Sequence, residues 1–134
     1  MKTYDIIVIG AGRGSNLARN AGKAGKKVAI IEKSKFGGTC PNRGCVPSKL
    51  LIGYAQVARG VKDSSRHFID ATINSIDVKK IFEDTNSYIQ TIDPAYRSRF
   101  NENVDTYTGT ASFVSNYVVQ VNGEQITAPK IVIA

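Results

Sequence analysis

The stretch Gly37-Gly38-Thr39-Cys40-Pro41-Asn42-Arg43-Gly44-Cys45-Val46-Pro47-Ser48-Lys49 constrains this chain most, because it holds both cysteines, five residues apart, with Pro41 and Gly44 bending the backbone between them. Directly ahead of it lies a strand–glycine loop–helix–strand pattern. Lys2 to Ile9 ends in a β-branched run, as a strand buried on both faces should. Gly10-Ala11-Gly12-Arg13-Gly14-Ser15 follows, then a predicted helix from Asn16 to Lys23 with Leu17, Ala18 and Ala21 facing inward and Gly25 as its stop. Val28 to Ile31 is a second buried strand that ends at Glu32. The pattern is a βαβ unit, for which a right-handed crossover is expected.

Each part of the loop has a physical task. Gly10 permits a tight turn and Gly12 lets the backbone approach a pyrophosphate, while the helix that follows presents free N–H groups and the positive end of its dipole. Glu32 lies twenty-two residues after Gly10, at the tip of the second strand, where its carboxylate can accept hydrogen bonds from an adenosine ribose. The third position of the fingerprint is Ser15 rather than Gly or Ala, a small residue that still allows helix and strand to lie close. Glycines that merely shape a turn are the alternative; strand, helix and acid at the right spacing favour a dinucleotide site.

Further along, Val46 to Val61 reads as a helix with Pro47 in its first turn and Leu50, Leu51, Tyr54, Val57, Ala58 and Val61 on one face. Lys62 to Asn74 is polar and reads as a loop. Asp77 is the expected N-cap of a second long helix running to about Asn103, kinked or broken at Asp93-Pro94. Val104 to Tyr107, Ala111 to Val114, Tyr117 to Val121 and Glu124 to Ala128 read as strands, with Asn122-Gly123 as a hairpin turn, and Lys130 to Ala134 as another buried strand.

Placed at or just before the N-terminus of the Pro47 helix, Cys45 gains unpaired N–H groups and a helix dipole that stabilise a thiolate. Cys40 is close enough along the chain to close a disulfide over it, geometry permitting. Lys49 lies one helical turn after Cys45, where its cation can support negative charge on the sulfur or on a reduced cofactor. A zinc half-site, a structural disulfide and an incidental buried pair are the alternatives. His67 alone cannot complete a four-ligand zinc set, and no metal site is expected. A thioredoxin-type motif has two residues between its cysteines, not four. A redox pair is the reading that uses both the helix terminus and the dinucleotide unit before it.

Composition narrows the rest. The 134 residues, 42% hydrophobic and 22% charged, suit one domain that needs no disulfide staple. The net charge of +7 comes from scattered Lys and Arg, so a solvated surface is expected rather than a nucleic-acid or membrane partner. Met1 leads straight into a strand, and no apolar run reaches membrane-spanning length, which predicts a cytoplasmic protein.

Residues 5–49 resemble the N-terminus of the pyridine nucleotide–disulfide oxidoreductases, the flavoenzyme family of dihydrolipoamide dehydrogenase, mercuric reductase and glutathione reductase. The likeness is carried by Ile9-Gly10-Ala11-Gly12, Ile31-Glu32-Lys33 and the cysteine stretch, and extends more weakly to Thr108-Gly109-Thr110-Ala111-Ser112-Phe113 and Lys130 to Ala134. The resemblance implies an α/β, Rossmann-like FAD-binding domain with an antiparallel β-meander. It implies FAD, with NAD(P)H expected for the full-length enzyme. Gly10, Gly12, Gly14 and Ser15 would hold the pyrophosphate, Glu32 the adenosine ribose, and Lys33 would flank the adenine. Gly38, Thr39 and Lys49 would contact the phosphate-to-flavin portion, and Gly109 to Ala111 the adenine. Cys45 would be the charge-transfer sulfur and Cys40 the interchange sulfur, passing electrons to a disulfide or dithiol substrate in the service of cell redox homeostasis.

The resemblance further implies that residues 1–134 are the N-terminal part of an FAD domain, truncated and inactive alone. The NAD(P)-binding domain, the dimer-interface domain and the acid–base residues would lie beyond Ala134, and the full-length protein is expected to be a homodimer. Val46-Pro47-Ser48-Lys49 resembles lipoamide dehydrogenases and mercuric reductases more than glutathione reductases; a lipoamide-like substrate is the favoured expectation, while Pro41 and Arg43 depart from the lipoamide dehydrogenase pattern and keep mercuric and other disulfide reductases as alternatives. A non-catalytic nucleotide-binding redox sensor is the reading from another class.

Overall fold

A computed structural model describes residues 1–134. The chain forms two compact units, one of Met1–Thr39 with Ile92–Ala134 and one of Cys40–Thr91. No helix is long and apolar enough to cross a membrane.

The first unit holds two sheets. Strands β2 (Ile6–Ile9), β3 (Val28–Glu32), β4 (Val104–Thr108) and β8 (Ile131–Ile133) form a parallel sheet in the order β4-β3-β2-β8. Strands β5 (Ser112–Ser115), β6 (Val118–Val121) and β7 (Glu124–Thr127) form an antiparallel meander, and β1 (Lys2–Thr3) adds to its edge parallel to β7. This is the α/β architecture with a meander that the sequence implies.

Alternation along β2 and β3 divides their side chains between two cores. Ile7, Ala29 and Ile31 pack with Tyr4, Val119, Val121 and Ile126 of the meander side. Val8, Val28 and Ile30 pack on the opposite face with Ala18 of helix α1 (Gly14–Lys23) and with Phe36 and Val104. Burial on both faces explains why these strands read as continuous apolar runs rather than alternating ones.

Several boundaries differ from the sequence reading. Lys2 to Ile9 is not one strand: Tyr4 donates its N–H to the Thr127 carbonyl, and Asp5 turns to the Lys27 carbonyl, so the chain changes sheets between them. The switch buries the Tyr4 ring and lets its hydroxyl meet Asp105 Oδ2 at 2.6 Å and the Tyr107 hydroxyl at 2.7 Å. Burial first, and then the Asp105 and Tyr107 partners, raise the Tyr4 phenol above its ordinary pKa. Leu17 is 40% exposed rather than inward, because the buried face of α1 is made by Gly14, Ser15, Ala18 and Gly22. The small residues bring the helix so close that a Cβ on Gly22 would lie 2.5 Å from Val104 Cγ2.

The long helix expected from Asp77 is two helices, α4 (Val78–Gln90) and α5 (Ile92–Arg97), separated at Thr91. Pro94 lies in the first turn of α5, where its missing N–H costs nothing.

The second unit contains α2 (Thr39–Arg43) from Cys40 onward, α3 (Cys45–Asp63), a 3-10 turn at Ser64–His67 inside the expected polar loop, and α4. Helix α3 packs against α4, and the Tyr54 hydroxyl bonds Asp84 across them. Asp77 caps α4 as expected, accepting from the Lys80 N–H at 2.9 Å.

Candidate functional site

The glycine loop leaves β2 at its carboxyl end and enters α1. Gly10 has φ +104° and donates its N–H to the Ile31 carbonyl, a conformation open to glycine and strained for other residues. The first unit then builds the loop around the Ala11 peptide. Ala11 N–H donates to Glu32 Oε2 at 2.8 Å, and its carbonyl accepts from Gly37 N–H at 2.9 Å and from Ser15 Oγ at 2.6 Å. Ser15 is buried, so the residue that departs from the glycine fingerprint contributes a bond glycine would lack.

Glu32 stands at the end of β3. Its other carboxylate oxygen accepts from Ser34 N–H at 2.9 Å, and its backbone carbonyl accepts from Gly109 N–H at 2.9 Å. A carboxylate has about four lone-pair positions, so these bonds leave acceptor capacity for hydroxyls. Gly38 has φ +77°, and a Cβ there would come within 2.8 Å of Gly12 Cα, so the cysteine stretch begins backbone to backbone against the glycine loop. A Cβ on Gly14 would lie 2.7 Å from Val8 Cγ1, which makes Gly14 the close-packing position between α1 and β2.

The structure thus gathers Gly10, Gly12, Gly14, Ser15, Glu32, Gly38 and Gly109 at the carboxyl ends of β2, β3 and β4, where open α/β sheets bind ligands. Ala111 is half-buried beside the meander core, and Lys33 and Thr39 are exposed.

Cys40, Cys45 and Lys49 belong to helices of the second unit. Cys40 and Cys45 form a disulfide with Cα atoms 4.7 Å apart, and Cys45 is the first residue of the nineteen-residue helix α3. Gly44 N–H donates to the Cys40 carbonyl and Ser48 N–H to the Gly44 carbonyl, which ties the turn between the sulfurs to α3. Both cysteines and Lys49 are exposed. A loop this short restrains little of the unfolded chain, worth about 2 kcal/mol in the chain-entropy account, which favours chemistry over stapling. His67 sits exposed in the 3-10 turn.

Two residues escaped the sequence reading. Asp93 Oδ1 accepts from Phe36 N–H at 2.6 Å, and Arg97 Nε donates to Asp93 Oδ2 at 2.8 Å. Burial works to raise the Asp93 pKa, but the Arg97 bond, the Phe36 N–H and the nearby Lys35 outweigh it and hold the carboxyl below its ordinary value. The i,i+4 spacing of Asp93 and Arg97 is visible in the sequence; their target, fifty-seven residues away from Asp93, is not.

Comparison with known proteins agrees with this geometry. The pattern of the family described as pyridine nucleotide-disulphide oxidoreductase matches residues 4–134. A mycothione reductase from Mycobacterium tuberculosis is 36% identical over 100% of this chain and 31% of its own length. A dihydrolipoyl dehydrogenase from Chlamydia trachomatis is 33% identical over 99% of the chain and 30% of its own, and a glutathione reductase from Burkholderia cepacia 35% identical over 98% and 30%. Among solved structures, the HOCl-induced flavoprotein disulfide reductase RclA from Escherichia coli superposes with a TM-score of 0.80 at 30% identity, over 98% of this chain and 28% of that one. The chain therefore spans about a third of the length of these proteins. With its glycine loop, its Cys40–Cys45 disulfide and a family pattern matched over residues 4–134, the chain belongs to the pyridine nucleotide-disulphide oxidoreductases, a family of FAD-containing, NAD(P)H-dependent enzymes.

Proposed function

We propose that residues 1–134 are the FAD-binding part of a flavoprotein disulfide oxidoreductase in which Cys40–Cys45 is the redox-active disulfide and a lipoamide-like dithiol or disulfide is the substrate. Nicotinamide-binding and dimer-interface domains would complete the protein, and the reducing cytoplasm is its proposed setting. The observation that carries the reading is the short-loop disulfide at the start of α3.

The residues present fit the dinucleotide. Gly12 and Arg13 N–H groups have no acceptor within the chain, and space for a Cβ on Gly12 is bounded only by Gly38 Cα at 3.7 Å. These donors, with Gly10, Gly14 and Ser15 shaping the loop, would hold the pyrophosphate. Glu32 would accept from the adenosine ribose, Lys33 would flank the adenine, and the Gly109 to Ala111 backbone would border it. Gly38, Thr39 and Lys49 would contact the portion between phosphate and flavin. FAD, when bound, supplies two-electron chemistry between the nicotinamide and the cysteine pair.

The chain's own step is thiol–disulfide exchange. With the pair reduced, the Cys40 thiolate attacks one sulfur of the substrate disulfide and expels the other as a thiolate. The Cys45 thiolate then attacks Cys40 Sγ, re-forming the Cys40–Cys45 bond and releasing the second substrate sulfur as a thiolate. Both leaving thiolates take up protons, so two electrons and two protons reach the substrate. The N-terminus of α3 favours the thiolate of Cys45 when the bond is open. Val46-Pro47-Ser48-Lys49 sets lipoamide dehydrogenases and mercuric reductases ahead of glutathione reductases, and lipoamide is the reading we prefer of the two; the similar identities of the mycothione, lipoyl and glutathione relatives favour none of them.

The test is turnover by the whole protein with NADH or NADPH and, in separate assays, lipoamide, glutathione disulfide, mycothione and Hg(II). Lipoamide is expected to give the highest kcat/KM, and Cys45→Ser to abolish disulfide turnover. Preference for another acceptor would sink the lipoamide reading alone. Slow, substoichiometric thiol formation with NAD(P)H would mark a redox sensor instead.

A further inference from the structure

The Ala11 carbonyl is held by a corner of chain that residues far along the sequence keep in place. Gly37 N–H donates to that carbonyl, and the preceding Phe36 N–H donates to Asp93 Oδ1 at 2.6 Å. Arg97 bonds the second oxygen of Asp93 at 2.8 Å and lies with its guanidinium carbon 3.9 Å from the centroid of the buried Phe36 ring. The same guanidinium reaches β4, donating from Nη2 to Thr108 Oγ1 at 2.7 Å and from Nη1 to Thr106 Oγ1 at 3.3 Å. Thr108 precedes Gly109, whose N–H bonds the carbonyl of Glu32. One planar cation therefore joins α5, the Phe36–Gly38 corner and the end of β4.

We propose that Asp93 and Arg97 are positioning residues for FAD: they hold the Phe36–Gly38 corner on the glycine loop, so that Gly38 rests on Gly12 and the Gly12 and Arg13 N–H groups stay set for the pyrophosphate. This rests on the proposed role of the loop as the FAD cradle. A pair that served only α5 would satisfy itself at i,i+4 spacing; here the carboxylate also takes a donor from a different part of the chain. Removing it would leave the Phe36 N–H, the amide of a buried residue, without this acceptor. Lysine cannot replace Arg97, because a point-like ammonium has neither the planar fork nor the stacking face.

Two measurements on the whole protein freed of FAD separate the proposal from the reading beneath it. Amide exchange by NMR, without FAD, follows Phe36 and Gly37. In Arg97→Ala and Asp93→Ala both amides should exchange about tenfold faster or more, the scale expected for a lost charge-assisted bond, while Val8 and Ile30 stay unchanged. Asp93→Asn keeps an acceptor and should fall between wild type and Asp93→Ala. Arg97→Lys should resemble Arg97→Ala. Arg99→Ala, whose side chain stacks on Tyr96 at 4.7 Å, should change neither amide. In the second measurement, quenching of flavin fluorescence gives the FAD dissociation constant, expected to rise about tenfold in Arg97→Ala with the same order among the variants. Unchanged exchange at Phe36 and Gly37 overturns the proposal, as does faster exchange with unaltered FAD affinity. Wild type that fails to bind FAD while the amides respond as described overturns the cradle reading and leaves the corner clamp standing.

Discussion

Ala11 has only a methyl side chain, yet its peptide carries three of the bonds that shape the glycine loop. The neighbouring glycines matter because they let backbone meet backbone. Gly38 combines a positive φ with an approach in which any Cβ would stand 2.8 Å from Gly12 Cα, and no side-chain rotation relieves a clash between two backbones. Gly38→Ala should therefore either destabilise the first unit by about 2–3 kcal/mol or displace the corner from the loop. Urea unfolding monitored by circular dichroism measures the first, and FAD titration the second. A variant matching wild type in both would show that the two backbones can part without consequence.

At the scale of elements, local chemistry decided most boundaries. Asp77 accepts the Lys80 N–H as a side-chain cap for α4, and Asp77→Ala should lower stability by about 1 kcal/mol, read as a shift in the urea midpoint with unchanged slope. Such caps were legible in the sequence because a capping bond spans three residues. The hairpin at Asn122-Gly123 was legible for the same reason: both residues take positive φ, 52° and 81°, as a two-residue β-turn requires. Strands β2 and β3 announced themselves because both faces are buried. The handover of the chain from one sheet to the other at Tyr4–Asp5 was not legible. It depends on Asp105 and Tyr107, about a hundred residues away, accepting the Tyr4 hydroxyl into their network. Leu17 misled for a related reason: an apolar residue at helical spacing predicts burial, but Gly14, Ala18 and Gly22 already fill the narrow contact. The candidate site divides likewise. Gly10, Gly12, Glu32 and the cysteines stand in a compact motif, whereas the Asp93–Arg97 clamp exists only once α5 lies near Phe36.

Across the whole molecule, burial is distributed unevenly between the two units. Every fully buried hydrophobic side chain belongs to Met1–Thr39 or Ile92–Ala134; within Cys40–Thr91 only Asn42 and Thr85 are buried. Helix α3 has no buried residue, Val57 is 71% exposed, and apolar side chains of α3 and the 72–81 region line an open groove of about 840 Å³. Hydrophobic burial is the main source of cooperative stability, so the helical unit should open by sub-global fluctuations that leave the sheets intact. Amide exchange in α3 and α4 should be about a hundredfold faster, at least, than in β2 and β3. Reducing Cys40–Cys45 with dithiothreitol should then speed exchange in α3 further, since the closed loop restrains only the start of that helix, while β2 and β3 keep their rates. Equal protection in both units would mean that the helices draw stability from a source other than buried apolar surface. Slower exchange in α3 after reduction would mean that the Cys45 thiolate at the helix N-terminus supports α3 more than the closed loop does.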